Sequence, residues 1–269
     1  MPASTTIWGV GDAYEPYVGR WSRLVAREFL AWLAVPNGRG WLDVGCGTGA
    51  LSQTILTACA PGTVTGLDSS SGFIDYARAQ VDDARVSFVV GDAQAFPDDI
   101  DACDAAVSGL MLNFVPSPIA AVMEMTRVTR PGGSVAAYVW DYAGEMQLMR
   151  QFWDAAAELI PASRDLDEGS RFTLCQPDRL ADLFQQARLE DVDVHPIDIA
   201  TVFMDFDDYW TPFLGGQGSA PGYVMSLSKA ERVALRERLR ESLPTRSDGS
   251  IHLIARAWAV KGTRSSTAE

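Results

Sequence analysis

Three glycines and an aspartate share one short stretch of the chain, WLDVGCGTGA at residues 41–50. Gly45, Gly47 and Gly49 follow an apolar run that contains Asp43. Glycine is entropically costly to order, so three of them at alternate positions indicate that a ligand comes very close to the backbone. The G-x-G-x-G spacing differs from the G-x-G-x-x-G of dinucleotide loops, and Asp43 would repel a pyrophosphate. A cationic group, such as an ammonium or a sulfonium, would be favoured there.

Two further aspartates stand at the ends of the next two predicted strands. Asp68 ends TVTGLD at 63–68, and Asp92 ends VSFVVGD at 86–92. A carboxylate at Asp68 can accept hydrogen bonds from both hydroxyls of a ribose, and one at Asp92 suits the amino edge of an adenine. Each aspartate alone is equally consistent with a turn or a cap. Three of them at successive strand ends beside a glycine loop predict a nucleoside site with a positively charged group.

The elements that must position these residues alternate between strand and helix. The sequence predicts apolar strands at 40–45, 63–68, 86–92, 103–109 and 134–140, and helices at 20–33, 48–60, 71–81 and 117–129. Continuously apolar strands separated by helices indicate a parallel sheet with helices on both faces. The regular alternation stops after 140. Beyond it we predict helices at 176–189 and 229–243, strands at 192–203 and 251–262, and an aromatic-rich loop at 203–225.

Composition limits the possible partners. The chain has 269 residues and a formal net charge of −13, which would repel the phosphates of nucleic acids. Its four cysteines form no C-x-x-C pair and its two histidines are far apart, so neither a disulfide framework nor a metal site is predicted. No apolar run reaches the ~20 residues of a membrane helix and the N-terminus does not look like a signal peptide, so we expect a cytoplasmic protein. The oligomeric state stays open.

Four motifs in order make the chain resemble the class I S-adenosylmethionine-dependent methyltransferases that act on small molecules, a group that includes the ubiquinone and menaquinone biosynthesis type. The motifs are LDVGCGTG at 42–49, the strand-end Asp68, GDA at 91–93 and RVTRPGGSV at 127–135. The resemblance covers about residues 38–140. It implies a Rossmann-like α/β fold whose seven-stranded, mostly parallel sheet has its last strand, 251–262, antiparallel. It also implies S-adenosylmethionine as the cofactor and S-adenosylhomocysteine as the product.

The resemblance further implies which residues surround that cofactor. Contacts to the methionine part and the transferring methyl are implied for Asp43, Gly45, Cys46, Gly47 and Ser108. Contacts to the adenosine part are implied for Asp68, Ser69, Asp92 and Ala93. Cys46 would contribute its main chain only, because its thiol is a small group in a crowded turn.

We predict a single methyltransferase domain over 1–262, followed by a disordered tail over 263–269. Its parts would be an N-terminal lid and helix at 1–37, a cofactor-binding core at 38–140, and cap insertions at 141–175 and 204–248. In the lid, Tyr14, Tyr17 and Arg20 would fold over the cofactor, with the guanidinium of Arg20 paired to the methionine carboxylate. The competing interpretation is an ordinary helix start.

The sequence marks the residues that would bind the methyl acceptor less clearly. Asn113, Trp140 and Asp141 follow the fourth and fifth strands and could orient a substrate hydroxyl. Trp210 and Tyr223, in the aromatic-rich segment, either line an apolar substrate chamber or pack a cap. The loop SGLMLNFVP at 108–116 lacks the (Asn/Asp)-Pro-Pro-aromatic motif of enzymes that methylate nucleobase amines. We therefore expect in-line methyl transfer to a small, apolar or aromatic organic acceptor, without a metal.

Two other functions stay open at this point. The first is an NAD(P)-dependent oxidoreductase, although the dinucleotide glycine spacing is missing and the only two lysines, Lys229 and Lys261, form no Tyr-x-x-x-Lys motif. The second is a non-catalytic module that binds S-adenosylmethionine. The sequence does not distinguish O-, N- and C-methylation.

Overall fold

The computed structural model describes residues 19–216 and 218–266. A seven-stranded sheet has the strand order β3-β2-β1-β4-β5-β7-β6. The bounds are β1 Gly40–Val44, β2 Thr63–Asp68, β3 Val86–Val90, β4 Cys103–Gly109, β5 Thr129–Trp140, β6 Glu190–Phe203 and β7 Ile251–Thr263. Strands β1 to β5 pair in parallel, and β7 runs antiparallel to β5. This is the predicted α/β fold with its last strand antiparallel.

Ten α-helices lie within the residues described above. Their bounds are α1 Arg20–Leu33, α2 Ala50–Ala58, α3 Ser71–Gln80, α4 Pro118–Val128, α5 Gln147–Leu159, α6 Glu168–Arg171, α7 Pro177–Gln186, α8 Phe206–Trp210, α9 Ser219–Ser226 and α10 Lys229–Ser242. Two 3₁₀ helices span Pro161–Leu166 and Thr211–Gly215. None of the helices in this part of the chain is long and apolar enough to cross a membrane.

Burial follows the apolar patterns of the sequence. All of β1 after Gly40 is buried, as expected of a central strand covered on both faces. In α1, Val25, Phe29 and Leu33 recur at a spacing of four and are buried, whereas the residues between them include exposed ones. The ring of Phe29 packs 4.8 Å from that of Tyr138 in β5. The helix therefore binds the sheet through one apolar face.

Strand β5 begins five residues earlier than predicted. The sequence Pro131-Gly132-Gly133 indicates a break before the strand, yet the extended chain starts at Thr129. Thr129 pairs with Cys103, and the register shifts between Cys103 and Ala105. Gly132, with φ of 75°, donates its N–H to the carbonyl of Arg264. The pairing of Thr129 with Cys103 on one side and the bond to Arg264 on the other thus hold this segment, whose sequence cannot form a helix, in an extended conformation.

Two other expectations need correction. The aromatic-rich segment is not a loop: it forms α8, the second 3₁₀ helix and α9, pieces too short to show a helical period in sequence. The predicted tail also begins too early, because β7 continues to Thr263 and Arg264 is hydrogen-bonded to the carbonyls of Arg127 and Thr129. Residues 267–269 lie outside the described part.

Packing divides the chain into two compact units. Of the described residues, one unit comprises 22–140, 174–197 and 257–266, and it contains the glycine loop and β1 to β5. The other comprises 19–21, 141–173, 198–216 and 218–256. Its interior is aromatic: the rings of Phe152 and Phe213 stack at 4.6 Å, and Tyr209 donates its hydroxyl to the carbonyl of Leu148.

Candidate functional site

The glycine loop is fastened to the end of β2 by its own backbone. The N–H groups of Gly45 and Cys46 both donate to the carbonyl of Leu67, at 2.7 and 3.0 Å. Gly45, Gly47 and Gly49 all have positive φ, between 52° and 85°, which residues with a side chain rarely adopt. These bonds keep the loop at the carboxyl edge of the sheet, where ligands of open α/β sheets bind.

Space above Gly47 is open. A Cβ atom added at Gly47 would meet no atom within 4 Å, whereas one at Gly45 would collide with Met111 and one at Gly49 would contact Ala77. The N–H of Gly47 donates to Oδ2 of Asp68 at 2.9 Å. Gly47 is therefore the position in the loop where a ligand can approach the backbone.

Asp68 joins the loop to the start of α3. Its Oδ2 accepts from Gly47, and its Oδ1 accepts from the N–H of Ser70 at 2.9 Å. Each carboxylate oxygen has two lone pairs, so one position on each oxygen is left for another donor. Two hydroxyls on neighbouring carbons, as in a ribose, match such a pair of acceptors. Ser69, the next residue, is exposed.

Asp43 is buried beneath the loop, with 1% of its surface exposed. Its Oδ2 accepts from the hydroxyl of Ser52 at 2.7 Å, while its Oδ1 is buried and has no hydrogen-bond partner. Burial raises the pKa of Asp43 to about 7, against a lowering by the hydrogen bonds from Ser52 and with a small further rise from Asp68. A buried carboxyl group with one unpaired oxygen is suited to receive a cation or a hydrogen-bond donor.

Asp92 and Ala93 follow β3. Oδ1 of Asp92 accepts from both the N–H and the side-chain amide of Gln94, at 2.9 and 3.2 Å. Asp92 itself is exposed, and Ala93 is buried. Gln94 in turn accepts from the N–H of Ser117 at 2.9 Å, which fixes this turn to the start of α4.

Ser108 and Cys46 are buried inside the unit that contains the glycine loop. Ser108 has no exposed surface and donates its hydroxyl to the carbonyl of Val44 at 2.9 Å, which links β4 to β1. Cys46 packs against Ile74, Ala77 and Phe88. Burial, and then the nearby Asp43 and Asp68, raise the pKa of the Cys46 thiol well above its usual value. The thiol is thus part of the apolar core and not a nucleophile, as the sequence predicts.

The segment after β4 leaves the sheet in an unusual conformation. Leu110 has φ of 60° and donates its N–H to the carbonyl of Tyr138. The next residue, Met111, lies so close to Gly45 that a Cβ there would be 2.3 Å from its Cγ. A non-glycine residue with positive φ is costly, and residues strained in this way cluster at functional sites. This segment therefore borders the glycine loop.

Gly47→Ala is expected to weaken ligand binding in addition to lowering stability. The positive φ should cost about 1 kcal/mol of unfolding free energy, and the new methyl group fills the space in which a ligand would lie. Affinity for S-adenosylhomocysteine should fall by at least about tenfold. The control is Gly38→Ala, with φ of 76° and equally empty surroundings, which should lose the same stability and no affinity. Equal affinities in titration calorimetry would exclude Gly47 from the site.

Arg20 forms an ion pair within the chain. Its Nη1 donates to Oδ1 of Asp208 at 2.8 Å, an ion pair across 188 positions of the sequence. The guanidinium also lies over the rings of Trp21 and Phe203, at 4.4 and 4.8 Å. Asp208 thus holds one nitrogen of the guanidinium, while Nε and Nη2 are buried without a hydrogen-bond partner, and the pairing of Arg20 with a ligand carboxylate stays a prediction. Tyr14 and Tyr17 lie outside the described residues.

Trp140 and Asp141 are both buried and have partners within the chain. Trp140 is 2% exposed and pairs with Ala257 in the sheet. The two carboxylate oxygens of Asp141 accept from the N–H groups of Gly144 and Glu145, at 3.1 and 2.9 Å. Asp141 therefore closes a turn, and the role of Trp140 and Asp141 in orienting a substrate stays a prediction.

Trp210 and Tyr223 are buried within the aromatic interior of the second unit. Trp210 is 4% exposed and its ring lies 6.2 Å from that of Phe213. Tyr223 is 8% exposed and its ring lies 5.5 Å from that of Trp153. Of the two interpretations open for these aromatics, the structure favours packing of a cap.

Among residues 19–216 and 218–266, no three His, Cys, Asp or Glu side chains are grouped so that they could hold a metal ion. The residues gathered at the carboxyl edge are instead a glycine loop, two aspartates with free acceptor positions and a strained segment after β4. Ser52 is the member of this group that the sequence analysis missed. It lies nine positions after Asp43 on α2, and no motif marks it.

Comparison with known proteins agrees with this geometry. A family model described as a methyltransferase domain matches residues 42–137. The chain is 31% identical over 184 residues to a demethylmenaquinone methyltransferase of Halalkalibacterium halodurans, an alignment that covers 63% of this chain and 75% of that protein.

Two solved structures share the fold. One, described as a methyltransferase from an antibiotic biosynthesis pathway of Anabaena variabilis, has a TM-score of 0.61, with 17% identity over 88% of this chain and 96% of that one. The other is phosphoethanolamine N-methyltransferase 2 of Haemonchus contortus in complex with S-adenosyl-L-methionine. Its TM-score is 0.58, with 15% identity over 94% of this chain and 56% of that one.

Proposed function

This chain belongs to the class I S-adenosylmethionine-dependent methyltransferases, and we propose that it methylates a small, quinone-related aromatic acceptor by in-line displacement. The methyl donor follows from the family. The acceptor class is our inference. The observation that carries the proposal is the open backbone at Gly47 beside Asp68, together with the unpaired Oδ1 of the buried Asp43.

The residues present fit the methyl donor. The unpaired Oδ1 of Asp43 would receive the methionine ammonium, and the free positions on Asp68 would receive the ribose hydroxyls. The open backbone at Gly47, beside Gly45 and Cys46, would lie along the methionine part. Asp92 with Ala93, and the backbone of Ser69, would border the adenosine, and Ser108 would support the floor near the methyl through its bond to Val44.

S-Adenosylmethionine, when bound, would supply a methyl group on a positively charged sulfur; the sulfur keeps the electron pair of the broken S–C bond, and the acceptor's proton passes to solvent. The chain's contribution is therefore to bind, align and exclude water. The hydrogen bonds from Gly45 and Cys46 to Leu67 fix the loop against β2 before any ligand arrives. Such preorganisation lowers the entropic cost of alignment.

The acceptor class rests on two observations. The bacterial relative that is 31% identical is named for a reaction on demethylmenaquinone, a quinone. The chain's net charge of −13 disfavours polyanionic acceptors such as nucleic acids. We infer a small aromatic acceptor with oxygen substituents; the atom that is methylated is left to the product analysis below.

Thermal unfolding with ligands tests the proposal. S-Adenosylhomocysteine at ~100 times its dissociation constant should add ~2.7 kcal/mol of stability, which raises Tm by roughly 5–10 °C in a chain of this size. Asp68→Ala should lose most of that rise, because the ribose hydroxyls lose a charged acceptor. Asp75→Ala is the matched control, since Asp75 is an exposed acid of α3 that forms an ion pair with Arg78 on the same helix.

A rise with NAD alone would contradict the proposal and indicate an oxidoreductase. A rise with S-adenosylhomocysteine in the wild type and the control, but not in Asp68→Ala, would support it. Incubation with 1,4-naphthohydroquinone, kept reduced, and methyl-labelled S-adenosylmethionine then tests the acceptor class, and mass spectrometry of the product locates the methyl group.

A further inference from the structure

Asn113 carries an amide group that the protein buries and leaves without partners. Neither its Nδ2 nor its Oδ1 is accessible to solvent, and neither has a hydrogen-bond partner. Leaving a buried polar atom unpaired is costly, and natural proteins rarely do so without a reason. An amide has a hydrogen-bond donor and an acceptor side by side. One ligand with an acceptor and a donor at matching positions would therefore satisfy both atoms.

Asn113 lies on the segment that follows β4, and this segment borders the glycine loop. Asn113 lies two residues after Met111, which packs against Gly45 of the glycine loop. The turn that contains it is closed by the bond from the N–H of Phe114 to the carbonyl of Met111, at 2.8 Å. Asn113 is thus held on a short turn beside the loop that would carry the methionine part.

The segment that contains Asn113, residues 110–117, is hydrogen-bonded to the rest of the chain at both ends. At its start, Leu110 bonds to Tyr138 of β5 despite its strained φ. At its end, the N–H of Ser117 bonds to Gln94, which also binds Asp92. The segment therefore spans from the glycine loop to the turn after β3, the two borders of the cofactor site. Because both polar atoms of Asn113 are covered in this structure, a ligand reaches them when the groups that cover them move aside.

We propose that Asn113 binds the methyl acceptor, with Oδ1 receiving a hydroxyl and Nδ2 donating to a neighbouring oxygen of the same molecule. This inference rests on the proposed function and narrows its acceptor to a hydroxylated aromatic with a second oxygen within reach, such as a hydroquinone. Asn113 cannot take up a proton, because an amide is not a base at neutral pH. Its part is to hold the acceptor at the methyl group.

The test uses Asn113→Leu, which keeps the shape and removes both polar atoms. Without ligand, its Tm should rise by about 2–4 °C, because two unpaired buried atoms are gone. Its affinity for S-adenosylhomocysteine should stay within about twofold of the wild type. Binding of 1,4-naphthohydroquinone to the S-adenosylhomocysteine complex should weaken by about 10- to 100-fold. Asn113→Ala should show the same loss of binding if the leucine is poorly accommodated.

Thr201→Val is the matched control. Thr201 of β6 is fully buried and its hydroxyl is also unpaired, so its replacement should raise Tm in the same way and leave naphthohydroquinone binding unchanged. With 1,4-dimethoxynaphthalene, which has no hydroxyl to donate, the wild type should bind weakly and Asn113→Leu should bind no worse.

The outcomes separate the two proposals. If Asn113→Leu lowers Tm and leaves naphthohydroquinone binding intact, the amide is structural and the inference is overturned. If the wild type binds S-adenosylhomocysteine but not the hydroquinone, the acceptor chemistry assigned to Asn113 is wrong while the donor site stands. If the wild type binds no S-adenosylhomocysteine, the proposed function fails, and this inference fails with it.

Discussion

Asp43→Asn is expected to stabilise the ligand-free protein above pH 7. Asp43 is fully buried and its pKa is raised from 3.8 to about 7. Because the folded protein holds this proton more tightly than the unfolded chain does, wild-type stability falls as the pH rises from about 4 to about 7. Above pH 7 the ionised group costs at most about 4 kcal/mol, a cost that asparagine does not carry. Asparagine keeps an oxygen for the hydroxyl of Ser52.

Urea unfolding at pH 4.5 and pH 8 measures this effect. The gain in unfolding free energy of Asp43→Asn over the wild type should be about 2–4 kcal/mol at pH 8 and small at pH 4.5. Other groups titrate over the same range, but they do so equally in both proteins, so the difference isolates Asp43. An equal gain at both pH values would show that packing, and not ionisation, is responsible.

The same substitution should weaken cofactor binding. An ammonium on Oδ1 favours ionised Asp43, so wild-type affinity for S-adenosylhomocysteine should fall about tenfold for each pH unit below 7. Asp43→Asn should bind weakly and without that pH dependence. 5′-Methylthioadenosine lacks the amino acid part, and its affinity should hardly change in either protein. A pH dependence shared by both ligands would assign the titration to another group.

Gly66→Ala should have the second large effect, on stability alone. A Cβ at this buried position of β2 would stand 2.5 Å from Cδ1 of Phe88 and 3.1 Å from the sulfur of Cys46. Phe88 is 6% exposed and part of the core cluster beneath the glycine loop, so it has little room to move. Overpacking of this kind typically costs 1–3 kcal/mol, and we expect about 3 kcal/mol here because two neighbours must shift.

Urea unfolding of three variants checks the explanation. Gly66→Ala combined with Phe88→Leu should recover part of the loss, because the contacting ring is removed. Gly222→Ala, in helix α9 with nothing within 4 Å of its added Cβ, should be neutral or slightly stabilising. A loss below about 1 kcal/mol in Gly66→Ala would mean that the ring of Phe88 moves freely.

The parts of the site that depend on local pattern were predictable. Strand β1, the glycine loop and Asp68 appear in order in the sequence, and the hydrogen bonds from the loop to β2 join residues at most 22 positions apart. The strand alternation likewise indicates the parallel sheet, and the resemblance to the family supplies the antiparallel last strand. Local spacing is sufficient here because the βα units fold from neighbouring segments.

The parts of the fold and the site that depend on contacts between residues distant in the sequence were not predictable. Arg20 has the appearance of a free guanidinium at a helix start, and only the folded chain brings Asp208 to it. The aromatics between β6 and β7 show no period, because their helices are five to eight residues long. For Asn113, no sequence pattern reveals that an amide is buried without a partner; burial of a single side chain is a property of the assembled surface around it.

The position of β7 between β5 and β6 has a consequence for synthesis of the chain. Strand β6 leaves the ribosome before β7, yet the order of the sheet gives it no other neighbour. While β1 to β5 can pair as they emerge, β6 must remain an unpaired edge until Ile251–Thr263 has been translated. Its first residues include the exposed Glu190, Asp191 and Asp193, charges that discourage association with other nascent chains during that interval.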